Sequence, residues 1–134
     1  MLERLRQVAF LVKDLEEGKE LYRRHLGMET CHSEDLSKYG LLSAVLPAGA
    51  GTFIELLQPT SDDSAAARYL ARRGEAPYML IFETSEYDRL IPHLKSMGVR
   101  LSEGPETGDY RHAFIHPSSA NGAFLEIIEV TGGV

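Results

Sequence analysis

The chain has 134 residues, 43% of them hydrophobic and 25% charged, with a formal net charge of −6. That length suits one domain whose core needs no covalent staple, and the single Cys31 excludes an internal disulfide framework. No apolar run approaches the roughly 20 residues of a membrane span, and the longest basic clusters, Arg23-Arg24 and Arg72-Arg73, are too short for a nucleic-acid stripe. The opening MLERLRQ is charged and lacks an apolar signal core, so the expected location is the cytoplasm.

Residues 7–12, QVAFLV, read as a strand. Asp14 then opens a helix, with Glu17 completing a capping-box pattern. Leu15, Leu21, Tyr22 and Leu26 form its apolar face, and Gly27 ends it. Residues 28–33 and 40–47 read as strands, turned by the polar segment 33–39. A tight loop leads into a further strand over 51–60. The Ala-rich segment SDDSAAARYLARRG, 61–74, reads as a linker helix. Residues 77–83 begin a second series with an apolar strand. Ser85 with Asp88 repeats the capping pattern; Leu90, Ile91, Leu94 and Met97 make a helix face, and Gly98 ends it. Pro92 falls inside this helix and predicts a bend or a late start. Strands over 99–101, 111–116 and 122–130 complete the chain.

One stretch is written twice. GTFIELLQPT at 51–60 returns seventy-one residues later as GAFLEIIEVT. Gly, Phe, Glu and Thr recur in place, and Ile and Leu exchange at three positions. The two helix-ending glycines, Gly27 and Gly98, keep the same spacing. An internal repeat sets the architecture. Each half reads β-α-β-β-β. Side chains alternate along a strand, so Glu55 shares a face with Phe53 and Leu57, and Glu126 with Phe124 and Ile128. A carboxylate on an apolar face is costly without a partner, and two in equivalent places suggest a built site. Counting back from the glycines, Gln7 and Met79 head the first strand of each half. The pseudo-twofold is expected to converge Gln7, Glu55, Met79 and Glu126.

These features resemble the vicinal oxygen chelate superfamily, which includes glyoxalase I, bleomycin-resistance proteins, extradiol dioxygenases and methylmalonyl-CoA epimerase. The pieces that carry the likeness are VKDLEEGKELYRRHLGMET, FIELLQPT with the linker DSAAARYLARRGEAP, and AFIHPSSANGAFLEIIEV. The epimerase branch is the nearest. The resemblance implies an α+β glyoxalase-like fold, with two tandem β-α-β-β-β modules forming one curved mixed sheet. The expected organisation is a single domain over 1–134, with module 1 at about 5–60, a linker helix at about 61–75 and module 2 at about 76–131.

The resemblance also implies a divalent metal (Mn, Co, Ni, Zn or Mg) held by Gln7, Glu55 and Glu126. Met79 stands at the third ligand position, where the epimerase pattern has histidine, and a thioether suits soft metals rather than these. The loop SKYG places Lys38 where epimerases carry a catalytic glutamate; a shift of a few residues would bring in Glu34 instead. Glu55 and Glu126 are the expected catalytic carboxylates. His112 is a further acid–base candidate, and Arg111 a candidate for a cofactor phosphate. The other four histidines read as helix-end, exposed or turn residues.

The expected function is therefore that of a lyase or isomerase moving a proton next to a carbonyl or thioester, epimerase-like without being a literal methylmalonyl-CoA epimerase. The competing expectation is a non-catalytic protein that sequesters a small molecule, as bleomycin-resistance proteins do. A small-molecule partner and a homodimer are expected, with no nucleic acid or membrane partner.

Overall fold

The computed structural model describes residues 1–106 and 108–130. Thr131, the last residue of the second repeat, lies outside them. The elements run β1 (Arg4–Leu11), α1 (Leu15–Leu26), β2 (His32–Leu36), β3 (Leu41–Pro47), β4 (Phe53–Pro59), α2 (Ala65–Arg73), β5 (Ala76–Glu83), α3 (Tyr87–Ser96), β6 (Leu101–Glu103), β7 (Tyr110–Ile115) and β8 (Phe124–Val130). Setting α2 aside, the order is β-α-β-β-β twice, in the α+β class expected. The strands form mixed sheet, ordered β2-β3-β4-β1 in the first half of the chain and β5-β8-β7-β6 in the second. By contacts the chain divides into Gln7–Tyr78 and a second unit of Met1–Arg6 with Met79–Val134.

In the unit Gln7–Tyr78, β1 runs parallel to β4, while β2–β3 and β3–β4 are antiparallel. Asp14 caps α1 by accepting the Glu17 N–H, and Gly27 ends the helix in the left-handed region at φ 66°. Gln58 adds a second cap: its Oε1 accepts the Leu15 N–H at 2.7 Å. One face of the strands packs on α1, where Leu46, Leu56 and Ala44 are fully buried with Val12 and Leu15. The alternate face carries Gln7, Ser43 and Glu55.

The second unit repeats this plan, with β5 parallel to β8 and β6–β7 and β7–β8 antiparallel. Leu90, Ile91, Ala113, Ile115 and Ile127 are buried between α3 and the strands. Glu129 takes the place of Gln58, and its Oε2 accepts the Tyr87 N–H at 3.1 Å. The repeated position thus caps the helix of its own half in both units.

Three expectations shift. The polar residues after 31 form a strand, not a turn: β2 runs His32–Leu36 as an exposed strand paired to β3 alone. An edge strand with both faces wet has no apolar alternation to betray it. Ser85 does not cap α3. Its hydroxyl donates to Glu3, and Thr84 Oγ1 accepts the Glu86 N–H at 3.0 Å. The helix starts at Tyr87, late enough for Pro92 to stand five residues in while the helix continues to Ser96. The strand expected at 99–101 falls at Leu101–Glu103.

The N-terminal residues are tied to their unit by charge. Glu83 Oε2 receives Arg4 Nη2 at 2.7 Å and Arg6 Nη1 at 3.2 Å. Burial pushes the Glu83 carboxyl up, but hydrogen bonds from Arg4 and Arg6 outweigh it and hold the group below its usual 4.5. The folded chain then binds this proton more weakly than the unfolded chain. Its contribution is full above the unfolded value and is lost as pH falls through the folded one. Urea denaturation from neutral pH down through the carboxylate range is expected to show an acid-side loss that shrinks in Glu83→Gln. An unchanged acid limb in that variant would remove the tie.

Candidate functional site

The face turned away from the helix in each unit carries one glutamate of the repeat. In the first, register places Gln7 opposite Phe53 and Ala9 opposite Glu55. Gln7 and Glu55 therefore lie on the same face of adjacent strands. From β3, Ser43 Oγ donates to Glu55 Oε2 at 2.9 Å. Ser43 is itself 2% exposed. A buried hydroxyl with that donor role fixes the carboxylate's direction.

In the second unit, Met79 lies opposite Phe124 and Ile81 opposite Glu126. Met79 is thus the register equivalent of Gln7, each set against the repeated phenylalanine. From β7, His112 Nδ1 stands 3.1 Å from Glu126 Oε2. Both side chains are largely covered, at 12% and 16% exposure. Which of the two atoms donates depends on the imidazole tautomer; with a carboxylate as acceptor, Nδ1 would be the donor. Tyr110 and Phe114 meet the ring edge-on at centroid distances of 5.1 and 5.0 Å, and Phe114 stacks on Phe124 at 5.7 Å. Beyond them Leu101, Phe114 and Phe124 line an open cavity of about 340 Å³ rimmed by Arg100, Ser102 and His116.

Arg111, the neighbour of His112, points the other way. Its guanidinium binds Asp88 at 2.8 and 3.0 Å and Glu129 at 2.7 and 3.1 Å, and lies over the Tyr87 ring at 4.6 Å. Donating hydrogen bonds to Asp88 and then to Glu129 raises the guanidinium above its already high pKa. The fork is filled from within the chain, on the helix side. Strand alternation puts the two candidates Arg111 and His112 on opposite faces.

Lys38 sits on a single 3-10 turn, Ser37–Tyr39, with its ammonium 5.0 Å from the Tyr39 ring centroid. Glu34 lies opposite Ser43 in the β2–β3 register, on the same face as Glu55, but is solvent-exposed beside His32 at 3.6 Å. His116 serves the turn at 117–119: its Nδ1 accepts the Ser118 N–H at 3.0 Å. Among the described residues, no three of His, Cys, Asp and Glu cluster closely enough to hold an ion. No helix of the described residues is long and apolar enough to cross a membrane. Sequence reasoning missed Ser43, which carries no signal of its own, and also Gly104. The glycine carries no motif, and its part in the site is seen only when β6 and β7 are paired.

Residues 4–127 match the family described as the Glyoxalase/Bleomycin resistance protein/Dioxygenase superfamily. The chain belongs to that superfamily. Within the superfamily, it is 31% identical over 130 residues to the mitochondrial methylmalonyl-CoA epimerase of Bos taurus, covering 94% of this chain and 74% of that protein. It is 30% identical over 135 residues to an ethylmalonyl-CoA/methylmalonyl-CoA epimerase of Cereibacter sphaeroides, covering 97% of this chain and all of the other. The crystal structure of methylmalonyl-CoA epimerase from Mycobacterium tuberculosis superposes with a TM-score of 0.86 at 33% identity, over 96% of this chain and 88% of that one. The glyoxalase-like fold that the resemblance implied, and with which the repeat agreed, is the fold of this superfamily member.

Proposed function

We propose that this superfamily member catalyses proton transfer at the carbon next to a carbonyl or thioester, as a lyase or isomerase. The observation that carries the reading is Glu126, a largely covered carboxylate with one oxygen held by His112 Nδ1 at 3.1 Å. Covered from water and fixed in direction, such a group is suited to take a proton from carbon and return it. Glu55, held by the Ser43 hydroxyl, is its repeat equivalent and the second acid–base or ligand group. Gln7 is an orienting amide. The similarity to epimerases named for methylmalonyl-CoA and ethylmalonyl-CoA supports an acyl thioester as the substrate class.

By donor chemistry the oxygens of Gln7, Glu55 and Glu126 suit a hard divalent cation and the Met79 thioether does not. When bound, such an ion would polarise the substrate carbonyl. Arg111 is assigned a structural role, since Asp88 and Glu129 occupy its fork. The reading includes a cytoplasmic homodimer whose partner is a small molecule, with neither nucleic acid nor membrane bound.

Solvent exchange tests the reading. The protein is incubated in D2O with methylmalonyl-CoA and ethylmalonyl-CoA, with and without added Mn or Co, and the substrate is read for deuterium by mass spectrometry. Deuterium at the α-carbon is expected. Its absence from both thioesters under both conditions overturns the proposal in favour of a small-molecule sequestering protein. Calorimetric titration with Mn, Co, Ni and Zn reads the metal separately: the expected binding is lost in Glu126→Ala.

A further inference from the structure

The seat of His112 is unusual. Gly104 follows β6, and its N–H donates to the His112 carbonyl at 3.0 Å. A Cβ at Gly104 would run into His112 Nε2 and stand 2.7 Å from Cδ2 and 2.8 Å from Cε1. Real Cβ atoms essentially never come so close, so the imidazole occupies the space that any other residue's side chain would fill. Gly104 has no left-handed φ. The backbone conformation there does not call for glycine; the ring does.

The ring is therefore fixed on four sides. Nδ1 meets Glu126, the Nε2 end meets Gly104, and Tyr110 and Phe114 press on it edge-on. A side chain so placed, with its Nε2 end against backbone, is badly placed to pass protons to a substrate. It is well placed to aim a neighbour.

We propose that His112 is a positioning residue for Glu126, seated by the bare Cα of Gly104 and donating Nδ1–H to Oε2 so that Oε1 is the oxygen presented for proton transfer. The proposal rests on the reading of Glu126 as the proton-transferring group. It replaces the role of His112 as a second acid or base. A consequence is the tautomer: neutral His112 carries its proton on Nδ1, because the carboxylate can only accept.

The test combines nitrogen NMR with a double-mutant cycle. At mildly alkaline pH, long-range proton–nitrogen correlations of the free chain are expected to show His112 Nδ1 protonated and Nε2 bare. Glu126→Leu should move the proton to Nε2, and Gly104→Ala should do the same by expelling the ring. Because the clash is with the imidazole, Gly104→Ala is expected to lower the urea midpoint of the wild type and to leave His112→Ala unmoved. In the exchange assay, His112→Ala is expected to lower kcat by roughly 10²-fold with little change in KM, the cost of a misdirected base.

An Nε2–H tautomer in the wild type, or an equal Gly104→Ala penalty in both backgrounds, overturns the positioning proposal. Either result can stand with α-exchange intact, which leaves the proton-transfer reading in place. Absence of exchange in the wild type overturns that reading instead, and with it the purpose assigned to the pair.

Discussion

Glu126→Gln is expected to cut α-carbon exchange by about 10²- to 10⁴-fold, the range supplied by a positioned general base. The substitution keeps the side chain's shape, and a glutamine oxygen can still accept His112 Nδ1–H, so the fold should be nearly unchanged. What is lost is the ability to take a proton from carbon. Glu129→Gln is the control three residues along. Glu129 faces the helix side, where it binds Arg111 and the Tyr87 N–H, and its replacement should weaken stability while leaving exchange intact. Exchange is read by mass spectrometry in D2O and stability by urea titration on the same preparations. Full exchange in Glu126→Gln would remove Glu126 from the chemistry. Matching losses in the two variants would show that exchange merely follows folding.

Leu56→Ala and Ile127→Ala are each expected to destabilise the chain by about 2–5 kcal/mol, the usual cost of emptying a buried aliphatic site. The two residues occupy the same place in the repeat. Leu56 is fully buried against Val12, Leu15 and Leu46, and Ile127 is 2% exposed beside Leu90 and Ile115. Each follows a site glutamate on its strand and points to the helix. Leu56 has least room to relax, since its Cδ1 lies within 3.2 Å of where a Cβ at Gly18 would be. Chemical denaturation measures both. A loss below about 1 kcal/mol at either position would mean that its helix does not close over that strand.

The contrast between these predictions shows how far the sequence reaches. Adjacent residues on one strand, Glu126 and Ile127, have opposite duties, and period-two alternation is enough to separate them. The same alternation could have separated Arg111 from His112, but nothing in the sequence says which of those two faces the helix. Asp88 and Glu129, the partners that decide it, lie 23 and 18 residues away. The cap at Asp14 and the stop at Gly27 were legible because both act within one turn of their own helix. The start of α3 was not, because Ser85 gives its hydroxyl to Glu3, 82 residues back. β2 was misplaced because an edge strand with two wet faces has no hydrophobic period to read.

By itself, then, the sequence determined the repeat, the α+β class, the order of elements in each half and the two glutamates that share a register. All of these rest on local propensity and on a pattern copied along the chain, which need no knowledge of distant contacts. Only the tertiary structure decided what holds each glutamate. Ser43 reaches Glu55 across an antiparallel pairing, and His112 reaches Glu126 from a seat left open by Gly104. Such contacts depend on strand register and on the space between side chains. A missing Cβ leaves no mark in a sequence until the ring that fills its place is seen.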